Sequence, residues 1–170
     1  MIREDSVAMM VSSVTPPASA WVERFARLIP EDGEVLDLAC GSGRHSRLLT
    51  GLGHRVEAVD RDPGVLAQLA GVDRLTRREA DLESGAWPYH GRSFAGIVVT
   101  NYLFRPRLDD LLDSLADPGV LIYETFMAGN ERFGKPSSPD FLLRSQELLG
   151  RVQRRGWRVL AFEEGALALP

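Results

Sequence analysis

The chain has 170 residues, 44% of them hydrophobic and 26% charged, with a formal net charge of −4. That length suits one domain of roughly 100–200 residues, and the composition is that of an ordinary globular protein. The acidic balance speaks against a general phosphate-backbone binder, and the single cysteine, Cys40, excludes an intramolecular disulfide and a cysteine-only metal cluster.

No run approaches the ~20 apolar residues of a membrane span, and Glu4 and Asp5 stand where a secretory signal wants basic residues. Residues 1–17 read as a flexible lead-in, residues 18–170 as a single domain, and the cytoplasm as the default location. Over 18–29, Trp21, Val22, Phe25, Leu28 and Ile29 recur at helical steps, which predicts an amphipathic helix. Strand and helix signals then alternate. Strands are predicted at 34–38, 55–60, 75–80, 95–100 and 120–125, with helices at 44–50, from Pro63 to about 71, and at 108–115. Asp117, Pro118 and Gly119 read as a turn. Residues 126–139, rich in Gly, Pro and Ser, form a long loop expected to be a mobile lid. A helix over 140–155 and a sixth strand over 157–162 close the series. Such alternation gives a Rossmann-like, doubly wound, mostly parallel α/β sheet with helices on both faces.

The chemistry lies in residues 35–49, VLDLACGSGRHSRLL. A buried strand runs into a glycine turn and at once into a helix start, whose free N–H groups suit an anionic group. Asp60 ends the second strand, nineteen residues after Gly41, where an acid can take a ribose diol. A dinucleotide fingerprint wants a third glycine where Ser46 stands, and a pyrophosphate is ill matched to Asp37. An amino-acid zwitterion fits better, with Asp37 facing its ammonium and the helix start facing its carboxylate.

At this point the chain resembles the class I S-adenosylmethionine-dependent methyltransferases, whose first motif D-x-[GA]-C-G-x-G is matched with Ala39 at the usual first glycine. The Gly43-Arg44-His45-Ser46 continuation is similar to the small tellurite-resistance-type bacterial methyltransferases. The resemblance implies S-adenosylmethionine as cofactor, held by Asp37, Ala39, Gly41 and Gly43, by Asp60 and its neighbour Arg61 at the ribose, and by Asp81 and the Leu82 amide at the adenine. Thr100 and Asn101 would lie beside the cofactor and the acceptor.

The implied reaction is methyl transfer to an unidentified small-molecule acceptor, with Tyr102, Tyr123 and Glu124 as candidate catalytic groups. The alternative is a non-catalytic module that binds S-adenosylmethionine or S-adenosylhomocysteine. Asn101-Tyr102 lacks the two prolines of the amino-group methyltransferase motif, so no nucleic-acid substrate is inferred, nor any membrane partner. His45, His54 and His90 lack ligand spacing, so no metal is expected. Asp81 also suits a turn, Trp87 near the adenine equally suits the core, and Arg44 suits the cofactor carboxylate or equally a solvated face. The class usually ends in an antiparallel strand pair, for which residues after 162 leave little length. The expectation is an incomplete sheet edge open to pairing with a second copy as a homodimer, with another partner, or with residues outside this sequence.

Overall fold

The computed structural model describes residues 16–166, so the lead-in expected at 1–17 falls mostly outside the described residues. Five strands form one parallel sheet in the order β3-β2-β1-β4-β5. They are β1 (Glu34–Leu38), β2 (Arg55–Asp60), β3 (Leu75–Glu79), β4 (Phe94–Thr100) and β5 (Leu115–Glu124). The helices are α1 (Ala20–Phe25), α2 (Arg44–Gly51), α3 (Pro63–Ala67), α4 (Leu108–Asp113) and α5 (Glu147–Arg154). β1, β2 and β4 are buried along nearly their whole length, as strands covered on both faces must be. The doubly wound α/β architecture therefore stands.

One face carries Val35, Val56, Val98 and Ile122 against Val22, Ala26 and Ile29 of the N-terminal helical segment and Leu49 of α2. The other carries Leu36, Leu38, Val59, Ile97 and Val99 against Leu111 and Leu112 of α4. Between β3 and β4 no helix forms. Leu82, Trp87 and Tyr89 from that connection bury themselves on the sheet instead, and Trp87 donates its indole N–H to Ser114 Oγ at 3.0 Å. Each such aromatic stabilises by about 1.5–3 kcal/mol through burial, enough to replace a crossover helix. Trp87 is thus a core residue.

Four expectations are corrected. The N-terminal helix tightens to a 3-10 turn at Ala26–Leu28, and three residues per turn rotates Leu28 to 50% exposure while Ile29 is buried. Residues 117–119 are no free turn; they are an irregularity inside β5, between the pairs Phe94–Leu115 and Gly96–Val120. The helix expected from residue 140 begins at Glu147, because the carbonyls of Pro139, Asp140 and Leu142 accept from Arg105 and Leu143 pairs with Met127. Only a 3-10 turn forms there, over Pro139–Phe141, with the Leu142 N–H donating to the Pro139 carbonyl at 3.3 Å.

The strand expected at 157–162 does not form. Trp157 packs on the core, Glu164 accepts from Ser145 Oγ and Gln146 N–H, and Glu163 faces Arg24. These anchors tie the tail to α1 and to the start of α5 rather than into a ladder. Among the described residues β5 has a strand neighbour on one side only. No helix there is long and apolar enough to cross a membrane.

Candidate functional site

The five parallel strands end at one edge, where open α/β sheets place their ligand crevice. β1 leaves the sheet there through residues 39–43, with positive φ at Ala39 (54°), Gly41 (52°) and Gly43 (71°). Gly43 could carry no side chain, since a Cβ would sit 2.3 Å from Leu69 of the packed layer below. Above Gly41 there is open space, a cradle in which nothing lies within 4 Å of a Cβ position.

The Gly41 N–H donates to Asp60 Oδ2 at 2.9 Å, and the Asp62 N–H donates to Oδ1 at 3.0 Å. Asp60 therefore ties the tips of β1 and β2 together. A carboxylate offers about four lone-pair sites, so two remain for a diol. Asp37 lies beneath the turn, 1% exposed, and accepts from Ser46 Oγ at 2.5 Å. Burial pushes its carboxyl up to about 7, against the pull of the Ser46 hydrogen bond and the Arg44 charge. Ser46 thus has a positive role: it holds the motif acid. Arg44 reaches the Pro17 carbonyl at 3.3 Å. Cys40 is buried with its thiol pushed up by burial, unsuited to attack.

Asp81 is exposed and caps its own turn, accepting from the Glu83 N–H and the Ser84 hydroxyl at 2.9 Å each, which hold it below the usual carboxylate range. Leu82 beside it is buried in the core. The Tyr102 hydroxyl is buried with no hydrogen-bond partner among the described residues. Burial pushes this phenol up, with the charges of Glu83 and Asp81 acting in the same direction and that of Arg61 against it. Tyr123 donates its hydroxyl to the Tyr102 carbonyl at 2.8 Å and is likewise pushed up by burial. Neither phenol is prepared to ionise near pH 7.

Thr100 and Glu124 face one another in register at the ends of β4 and β5. Asn101 then turns the chain at φ 55° while its N–H donates to the Glu124 carbonyl at 2.9 Å. Sequence reasoning passed over two residues here. His45, 1% exposed, lies 3.3 Å from Thr100 Oγ1 through Nδ1, and Ser19, the N-cap of α1, donates its N–H to His45 Nε2 at 3.1 Å. The available signals were a histidine directly after the glycine turn and a serine before an amphipathic run.

Residues 35–117, from β1 into β5, match a family described as a methyltransferase domain. That match takes in just under half of the chain. The protein-L-isoaspartate O-methyltransferase of Chlorobium limicola is 34% identical over 99 residues, 55% of this chain and 44% of that protein. The glycopeptide N-methyltransferase MtfA, solved with S-adenosyl-L-homocysteine, superposes with a TM-score of 0.52 at 25% identity, over 65% of this chain and 53% of that one. A TehB-like S-adenosylmethionine-dependent methyltransferase from Corynebacterium glutamicum shares the fold at a TM-score of 0.59 and 21% identity, covering 79% and 70%. The chain thus spans about half the length of the first two of these proteins.

Proposed function

We propose that the chain is an S-adenosylmethionine-dependent methyltransferase acting on a small-molecule acceptor. The observation that carries this reading is the bond from the Gly41 N–H to Asp60 beside open space at the end of β1. When bound, the cofactor supplies a methyl group activated by a sulfonium. The turn 39–43 and the start of α2 would face its amino-acid end, with the Asp37 charge below. Asp60, with Arg61 beside it, would hold the ribose. Asp81 and the Leu82 amide would hold the adenine once Asp81 gives up part of its turn. Thr100 and Asn101 would flank the transferred group. Fixing two reactants in this way lowers a barrier by up to ~7–11 kcal/mol.

The relatives' names cover oxygen and nitrogen acceptors and leave the atom open. The one-sided β5 supports pairing with a second copy, which light scattering would test, and a cytoplasmic location fits the absence of any membrane-crossing helix among the described residues. Calorimetry with S-adenosylmethionine, S-adenosylhomocysteine and NAD in parallel tests the central reading. Binding of the first two and not of NAD is expected; NAD binding as well as they do, or neither of them binding, would overturn it.

A further inference from the structure

Glu124 is the carboxylate that the acceptor side of the crevice holds in place. Its Oε2 accepts the Ser19 hydroxyl. That hydroxyl has one proton, and its lone pairs are engaged by the N–H groups of Trp21 at 3.1 Å and Val22 at 3.4 Å. Ser19 is fixed in turn through its own N–H, which donates to His45 Nε2 at 3.1 Å. A nitrogen that accepts carries no proton, so the imidazole proton sits on Nδ1, directed at Thr100 Oγ1 3.3 Å away. Burial, with Arg44 nearby, pushes His45 down to about 4, which keeps this neutral tautomer at physiological pH.

Thr100 and Glu124 are register partners, so the cap of α1, the start of α2 and the ends of β4 and β5 close one ring around the carboxylate. Within that ring one oxygen of Glu124 is committed. The other, Oε1, has neither a hydrogen-bond donor nor a cationic partner among the described residues, and the residue is only half-buried.

A carboxylate oxygen fixed at the end of a strand attracts a cationic N–H donor more strongly than a neutral O–H and repels anions. We propose that Glu124 Oε1 receives the amino group of the methyl acceptor, so that the substrate is an amine rather than a carboxylic acid or a phenol. The proposal rests on the methyl-transfer reading and names its substrate class. In the step, Glu124 takes a proton from the acceptor's ammonium and frees the nitrogen lone pair. That pair forms the bond to the sulfonium methyl of S-adenosylmethionine, and the S–C bond breaks with its electrons remaining on sulfur as a neutral thioether. The methylated nitrogen carries the positive charge, and Glu124 returns its proton to water.

The test uses three aromatic probes of similar size, phenethylamine, 3-phenylpropionate and 4-ethylphenol, titrated by NMR into the whole protein saturated with S-adenosylhomocysteine. The amine should bind about tenfold more tightly than either counterpart, the worth of one hydrogen bond to a charged group. Glu124→Gln keeps an oxygen for Ser19 and should abolish the preference while leaving S-adenosylhomocysteine affinity intact. Equal binding of the three, a preference for the acid or the phenol, no detectable amine binding, or a preference that survives Glu124→Gln would each overturn the proposal. Failure of S-adenosylhomocysteine itself to bind would instead bring down the methyl-transfer reading on which it rests.

Discussion

The two halves of the crevice are held by different means. On the β1–β2 side the geometry is local and made of backbone: a turn at positive φ, closed by the Gly43 N–H on the Cys40 carbonyl at 3.0 Å and pinned by Asp60. On the β4–β5 side it is made of side chains that reach far along the chain. Arg105 donates to both oxygens of Glu147, at 2.7 and 2.8 Å, and to the carbonyls of Pro139, Asp140 and Leu142. Ser19 reaches Glu124 across 105 residues. The first side is a socket whose shape follows from a few adjacent residues. The second is a frame whose shape depends on a handful of long-range polar ties, so the two should fail differently when mutated.

The largest effect is expected where the frame is tied. Arg105→Ala leaves Glu147, 13% exposed at its side chain, without its cation and frees three carbonyls. The expected loss is about 3 kcal/mol of unfolding free energy in a denaturant titration, the scale for removing one partner of a buried pair. Hydrogen bonding from Arg105 holds Glu147 at about 2, against an ordinary 4.5. The stabilisation is therefore present above pH 4.5 and is lost as pH falls through 2, so the penalty of the substitution should shrink over that window. A penalty independent of pH would assign the loss to the carbonyl bonds alone.

Next comes the socket. Asp60→Ala should weaken S-adenosylhomocysteine binding by about 1.5–3 kcal/mol by calorimetry, the worth of hydrogen bonds to a charged group. Stability should change less than in Arg105→Ala, and the reverse ranking would break the comparison.

Asp37 gives a smaller effect with a definite sign. Its folded value near 7 lies above the ordinary 3.8, so the folded state holds a proton that the unfolded chain releases. Stability from this group is full below about pH 4 and declines as pH rises to 7. Asp37→Asn, which keeps a partner for Ser46, should flatten that decline in thermal melts, and an unchanged slope would contradict the assignment. Smallest of all, a ligand ammonium near Asp37 favours its ionised form. Binding at pH 6 should then release a fraction of a proton, seen as a buffer-dependent calorimetric enthalpy.

The same contrast explains what the sequence made legible. The strands 34–38 and 55–60 appear at the expected bounds, since each is a short apolar run that leads into turn residues, the glycine turn 41–43 after the first and Asp60 with Pro63 at the second. The Gly41–Asp60 relation could be read from spacing because a parallel strand pair brings those tips together. Nothing local marks Arg105 as the residue that takes the carbonyls of 139–142 and delays α5 to Glu147; a helix-like run was overruled by partners about 35 residues away. The tail failed likewise, because Trp157 and Glu164 found side-chain anchors before a ladder could form. His45 escaped notice because its partners, Ser19 and Thr100, come from elements joined only in the fold.

The most direct test of the socket is a crystal structure of the protein with S-adenosylhomocysteine. The account predicts the ribose hydroxyls within hydrogen-bond distance of Asp60, with the amino-acid end over residues 39–43 and the space above Gly41 filled. A ligand seated elsewhere, or a ribose that leaves Asp60 bonded only to Gly41 and Asp62, would contradict it.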